Sequence, residues 1–288
     1  MEKHRIKFMW FFTLVLSLIC FCNINKAYAL RVSPGAFCAQ NVEVGQETDT
    51  GVDLAIDNET DKEREFSIRV VPARTPKTES LKGYSALPNP DWLRLERTHL
   101  IVPAKGQAKT RLYISIPNEE KYFNQQWAVS CLVEYVEQKG LFQEAILTLY
   151  MFETRPKKDV TERPYGNLAV APSVVKVTEN AIKAKEEFSF KLYNNTSKEH
   201  TYTIKSFVPK AETGKLSINA TQGLTWAKKT SWISPKVKKI KLAPGAVEEI
   251  KLNVRVPKSE LAGDKGVEAL VFIDSDIGER RFVRVQVE

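Results

Sequence analysis

Residues 92–117 read WLRLERTHLIVPAKGQAKTRLYISIP, and residues 232–257 read WISPKVKKIKLAPGAVEEIKLNVRVP. Trp92 answers to Trp232, Pro103 to Pro244 and Pro117 to Pro257, at separations of 140, 141 and 140 residues. A stretch that recurs at a fixed period implies one structural unit built twice. In each copy a Trp-aliphatic pair leads into a short extended run, a turn containing Pro and Gly, and a strand of period two such as Thr110, Leu112, Ile114 and Ile116. That alternation belongs to a strand with one buried and one wet face.

The same pattern extends outward from both copies. Val32 and Pro34 recur as Val170 and Pro172, and the turn at Asn58 recurs at Asn194. Phe66, Ile68 and Val70 recur as Tyr202 and Ile204, and Trp127, Val129, Cys131 and Val133 alternate likewise. Helical periodicity is nearly absent. Two copies of about seven short strands, with turn signals every 8 to 12 residues, give an all-β chain of two tandem antiparallel β-sandwich domains. Residues 154–166, TRPKKDVTERPYG, are polar with two prolines and read as a linker. The expected division is 30–155 for the first domain, 156–166 for the linker and 167–288 for the second.

The first 29 residues stand apart. Lys3, Arg5 and Lys7 precede an apolar run of 15 residues from Phe8 to Cys22, and Ala27-Tyr28-Ala29 has the form of a cleavage site. This is the pattern of a signal peptide at 1–29; the apolar run is shorter than the roughly 20 residues that span a bilayer. The expected location is periplasmic or secreted, with no transmembrane segment after cleavage. The formal charge of +8 falls to about +5 once the leader's four basic residues and one acidic residue are removed. That mild excess gives no reason to expect nucleic acid as a partner. Two cysteines then remain, Cys38 and Cys131. Export permits a disulfide between them; the alternative is two separate buried thiols.

An enzyme is not expected. Only His99 and His200 lie outside the leader, in different repeats, and no nucleophile elbow, zinc motif or phosphate loop is present. Neither metal nor cofactor is expected. Asp274-Ser275-Asp276-x-Gly278 lacks the later glutamate of a calcium loop and reads as a hairpin turn. The Asn-x-Thr/Ser triplets at Asn58, Asn194, Asn195 and Asn219 are either glycan acceptors or turn residues. Lys236, Lys238, Lys239 and Lys241 form the densest basic cluster. It is either a surface for an anionic envelope component or a charged strand edge that resists sheet-to-sheet association.

One strand breaks the alternation. Residues 141–152, LFQEAILTLYMF, place Leu141, Ala145, Leu147, Leu149 and Met151 on one parity, and Ile146, Tyr150 and Phe152 on the other. Both faces are apolar, as in a strand buried on both sides or an edge strand that awaits a partner. By contrast Val283, Val285 and Val287 alternate with polar residues.

Three segments of the first domain resemble the periplasmic pilus-assembly chaperones. Residues 52–70 resemble that family's apolar strand, Asn turn and following strand. Trp92-Leu93, Val102-Pro103-x-x-Gly106 and Arg111-Leu112-Tyr113-Ile114 resemble its Trp-Ile, Pro-Gly and Leu-Arg-Ile run. Phe142-Gln143-x-Ala145-Ile146, ending in Arg155-Pro156, resembles its last strand. The resemblance implies two immunoglobulin-like domains and a chaperone-like assembly factor that pairs this strand with exported pilus or surface subunits. The alternative is a structural or adhesive module that binds a cell-envelope component. In the family an arginine and a lysine anchor the subunit's terminal carboxylate. Here the lysine position is Met151 and the arginine position lies near Phe37-Cys38, so that anchor is not carried over.

Overall fold

A computed structural model describes residues 30–73, 83–136, 145–209, 218–261 and 266–288. The leader at 1–29, Leu141 and the turn expected at 138–140 lie outside the described residues. The described part of the first domain forms ten strands: β1 (Arg31–Ser33), β2 (Ala36–Val42), β3 (Glu47–Asp57), β4 (Arg64–Pro72), β5 (Ser85–Ala86), β6 (Leu93–Leu95), β7 (His99–Val102), β8 (Gln107–Ser115), β9 (Gln126–Tyr135) and β10 (Ala145–Thr154). The second forms β11 (Leu168–Ala171), β12 (Val174–Val177), β13 (Phe188–Asn194), β14 (His200–Phe207), β15 (Leu224–Trp226), β16 (Ile233–Pro235), β17 (Lys239–Leu242), β18 (Val247–Val254), β19 (Gly266–Ser275) and β20 (Arg280–Val287).

The strand order is the same in both. One sheet runs β1-β3-β8-β6 and its counterpart β11-β13-β18-β16; the other runs β2-β10-β9-β4-β7 and its counterpart β12-β20-β19-β14-β17. Each pair of sheets closes on its own apolar cluster. Leu54, Ile56, Phe66, Leu112, Trp127 and Phe152 fill the first, and Leu192, Tyr202, Ile250, Val271 and Val285 the second. Two tandem β-sandwiches are the fold that the repeat requires. The short strands β1, β5 and β6 raise the count above the seven per copy expected, because two or three residues show no period.

Two pairings in each domain are parallel: β2 with β10 and β12 with β20, and β5 with β9 and β15 with β19. The chain leaves the first sheet after β1, turns at the cis Ser33-Pro34 bond and joins the second sheet beside the last strand; cis Ala171-Pro172 stands at the same crossing in the second copy. A five-residue helix, α1 (Glu179–Lys183), follows β12. Thr178 caps it by accepting from the Ala181 amide. Five residues are too few to show helical periodicity.

The repeated turns are built alike in detail. Asn58 Nδ2 donates to the carbonyls of Lys62, Val102 and Pro103 at 2.8, 3.1 and 2.9 Å. Asn194 Nδ2 donates to Lys198, Leu242 and Ala243 at 2.8, 3.0 and 3.0 Å. Both amides are buried and fully bonded, which removes them as glycan acceptors; Asn195 Nδ2 is likewise bonded to Pro164 and Gly166. These contacts also correct the sequence register. The equivalent of Pro103 is Ala243, not Pro244, so the separation is 140 at all three positions of the 92–117 stretch. The left-handed turn position is Lys105 (φ 52°) in one copy and Gly245 (φ 65°) in the other.

The disulfide is not formed; both cysteines are free. Cys38 on β2 and Cys131 on β9 are separated by the whole of β10. Cys38 stands opposite Met151 while Cys131 stands opposite Thr148. Their side chains also point to opposite sides of the sheet: Cys131 lies in the first core and Cys38 packs outside it. No disulfide spans two strand spacings with Cβ vectors pointing apart.

Candidate partner-binding edge

β10 pairs with β9 along its whole length but with β2 only from Leu149 onward. The Leu149 amide donates to Gly35 O at 2.9 Å. Backbone groups alternate sides along a strand, so those of Ala145 and Leu147 face the same way. Among the described residues no strand pairs with 145–148 on that side. An open edge of this kind offers unpaired N–H and C=O groups to an extended segment.

Side chains divide by parity. Thr148, Tyr150 and Phe152 are buried toward the first core. The odd residues face outward and meet two environments. Ala145 is exposed, and Leu147 is 49% exposed beside its cross-strand partner Leu132. Leu149 is half-buried, and Met151 is buried in a third apolar cluster with Ala73, Tyr84, Ala128, Ile218, Leu270, Phe272 and Phe282. That cluster joins the two domains. Of the outward residues expected to meet a partner, Ala145 and Leu147 remain at the surface. Met151 is withdrawn from it, because the second domain covers the lower half of the strand.

The junction is closely packed. A Cβ on Gly83 (φ 87°) would lie 2.3 Å from Phe282 Cδ1, and the Tyr84 and Phe282 rings meet edge-on at 5.4 Å. Within this apolar seam sits a buried ionic group. Arg284 on β20 donates from Nε and Nη2 to Glu153 on β10 at 2.7 and 2.6 Å, and from Nη1 to Glu268 on β19 at 3.0 Å. Tyr84 donates to Glu153, and the Cys38 thiol lies 3.6 Å from the same carboxylate oxygen. Glu268 also accepts from Thr221 and Gln286. Burial opposes the Arg284 charge, but the Glu153 and Glu268 carboxylates outweigh it and hold the guanidinium more firmly protonated than usual. Burial, with Glu153 adding to it, pushes the Cys38 thiol up to about 12. Cys38, near the position where the resemblance implies an arginine, touches Glu153, and Met151, at the lysine position, packs in the apolar cluster that holds Tyr84. At this junction the two domains meet through their own side chains.

Residues 156–166, read as a linker, are tied to both domains. The Glu120 carboxylate accepts from Lys157 Nζ, from Thr161 Oγ1 at 2.6 Å and from the Glu162 amide at 2.6 Å. Lys157 first, then these donors, pulls the Glu120 pKa down to about 2. Asn124 Oδ1 accepts from the amides of Lys157 and Ser173 at 2.9 and 3.0 Å. Tyr165 lies against Tyr122 and Trp127, in one aromatic group with Trp92. Trp92 is thus a packing residue.

The stretch of β20 equivalent to 145–148 is 280–283, since Leu149 and Arg284 both stand opposite the second residue after the cis proline. There Gln126 Nε2 of β9 donates to the Phe282 carbonyl at 3.3 Å, and Gly166 of the linker abuts the Arg281 guanidinium. The open edge therefore belongs to the first copy.

The lysine cluster lies around β17, the outermost strand of its sheet. Lys236 and Lys241 face Glu187 and Glu199 at 3.6 and 3.5 Å, while Lys238 and Lys239 are exposed with no ion pair among the described residues. Lysines along an outer strand discourage pairing with another sheet. His200 pairs with Asp276 at 2.8 Å, and Asp274 with Lys205 and Arg280, so the carboxylates of that turn are engaged by protein side chains. Among the described residues, no three His, Cys, Asp or Glu side chains are placed to hold a metal, and no helix is long and apolar enough to cross a membrane.

The sequence matches no family model and no curated protein. Similar solved structures include a protein of unknown function from Porphyromonas gingivalis, 11% identical over 90% of this chain and 99% of that one, with a TM-score of 0.35. The E. coli chaperone DraB is 11% identical over 89% and 98%, with a TM-score of 0.30. The chaperone–tip adhesion subunit pre-assembly complex of the archaic chaperone-usher Csu pili of Acinetobacter baumannii gives 12% over 90% and 99%, with a TM-score of 0.30.

Proposed function

We infer that the protein is an exported, non-enzymatic binding protein with a chaperone-like assembly role, and that it captures an extended segment of an exported surface subunit along residues 145–148. The observation that carries this reading is the asymmetry between copies. On the edge of β20 the Phe282 carbonyl is taken by Gln126 Nε2 at 3.3 Å, while the same edge of β10 has no pairing strand among the described residues and is flanked by Leu147 and Leu132. Main-chain pairing supplies attraction and the apolar outward side chains supply selection.

The test is Leu147→Pro. It removes one outward N–H without breaking a β9 bond, and proline is tolerated on a sheet edge. Capture of exported proteins by tagged wild type, Leu147→Pro and a control, Ile277→Glu in the exposed turn of the second domain, is compared at equal thermal stability. Capture is expected to fall at least tenfold for Leu147→Pro alone. Equal capture by all three removes the reading.

A further inference from the structure

Three arginines stand on β20 and meet different fates. Arg280 pairs with Asp274, and Arg284 with Glu153 and Glu268. Arg281 is only 8% exposed, yet among the described residues its side chain makes one hydrogen bond, a 3.5 Å contact from Nη1 to the Arg280 carbonyl. Such a length is the limit of a hydrogen bond, and a guanidinium has five N–H donors to place. The adjacent acid, Glu279, accepts from Asn167, and no ion pair between it and Arg281 is present among the described residues. Burial lowers the affinity of Arg281 for its proton, against the pull of Glu279 and Tyr165. The fold does not demand a charge here: the equivalent residue of the first copy is Ile146.

The linker forms one wall of this position. A Cβ on Gly166 would lie 3.2 Å from Arg281 Nη2, and Gly166 has φ 92°, so the backbone approaches the guanidinium as only glycine permits. A buried, unpaired cation is costly unless an opposite charge reaches it. We propose that Arg281 is an anion site, which seats a small oxyanion, carboxylate or phosphate, between β20 and the linker. The oxyanion accepts the free Nε and Nη donors in the paired geometry that guanidinium favours. It thereby fastens the linker to the second domain. The site is separate from the open edge of β10 and stands or falls without it.

The experiment measures the melting temperature of the whole chain in sodium acetate or inorganic phosphate from 1 to 100 mM. Ionic strength is held with MES, a sulfonate too bulky for so enclosed a position. For a Kd of about 1 mM the wild type is expected to rise by about 5 °C over this range. Arg281→Met is expected to show no rise and to melt at or above the anion-free wild type, since an apolar stem replaces an unpaired charge. Arg281→Gln serves as the second variant should methionine prevent folding. A response to phosphate but not acetate, or the reverse, names the ligand. A flat wild-type response, or equal responses in wild type and variants, overturns the proposal.

Discussion

Arg284→Ala should separate the energetics of the domain junction from those of the two cores. Arg284 is 1% exposed, and its carboxylate partners Glu153 and Glu268 are 8% and 0% exposed. Truncation leaves both acids without their cation, but unequally. Glu268 keeps three donors, the Thr221 amide, Thr221 Oγ1 and Gln286 Nε2, whereas Glu153 keeps only Tyr84 and the Cys38 thiol. Breaking a buried pair from one side costs about 3–5 kcal/mol, mostly the penalty of the stranded charge. That penalty should fall chiefly on Glu153. Arg284→Met with Glu153→Gln removes both charges of the closest pair, and the double variant should therefore be more stable than Arg284→Ala by about 2 kcal/mol. Urea unfolding followed by tryptophan fluorescence is a suitable assay, because Trp226 packs against the junction cluster. A loss below about 1 kcal/mol for Arg284→Ala, or strict additivity in the cycle, would refute the view that this ionic group holds the domains together.

Three further outcomes follow from the same contacts. Cys38 and Cys131, both pushed up to about 12 chiefly by burial, should resist alkylation at pH 8 in the folded protein, and both should appear as free thiols on unfolding without reductant; a peptide mass that joins the two would contradict this. Glu120 titrates at about 2 when folded, against an ordinary value of 4.5, so its support of the linker is present above about pH 4.5 and is lost as pH falls toward 2. Hydrogen exchange at 156–166, corrected for intrinsic rate, should therefore rise between pH 5 and 2.5, while Glu120→Gln should already be fast at pH 5; identical profiles would remove Glu120 as the tie. Asn58→Ala and Asn194→Ala should each cost about 2–3 kcal/mol in thermal or urea unfolding, since each strands three carbonyls, and a neutral result at either would separate the two turns that the repeat equates.

The repeat was legible because period-two alternation and Asn-Thr turns are local chemistry, and local chemistry survives in a string of letters. What lay beyond it was the packing of one copy on the other. Residues 283, 285 and 287 alternate with Arg284 and Gln286, which reads as a wet face; the structure turns that face inward, against β10. The missed signal was present: Phe282 shares the parity of Arg284 and Gln286, and Leu270 and Phe272 give β19 a second apolar side. Glu153 and Arg284 are 131 positions apart, so no spacing rule relates them.

The same packing sharpens the functional reading. Apolar character on both faces of β10 has two causes that divide along its length. From Leu149 onward the outward face serves the junction, and only Ala145 and Leu147 keep outward backbone and side-chain groups open among the described residues. Two residues supply few main-chain bonds, each worth about 1 kcal/mol net. Most of the affinity for a captured segment must then come from apolar contact at Leu147 and Leu132. An extended segment with alternate large apolar side chains should bind far better than one matched in length but polar, and a preference for backbone alone, indifferent to side chain, would place the partner surface elsewhere.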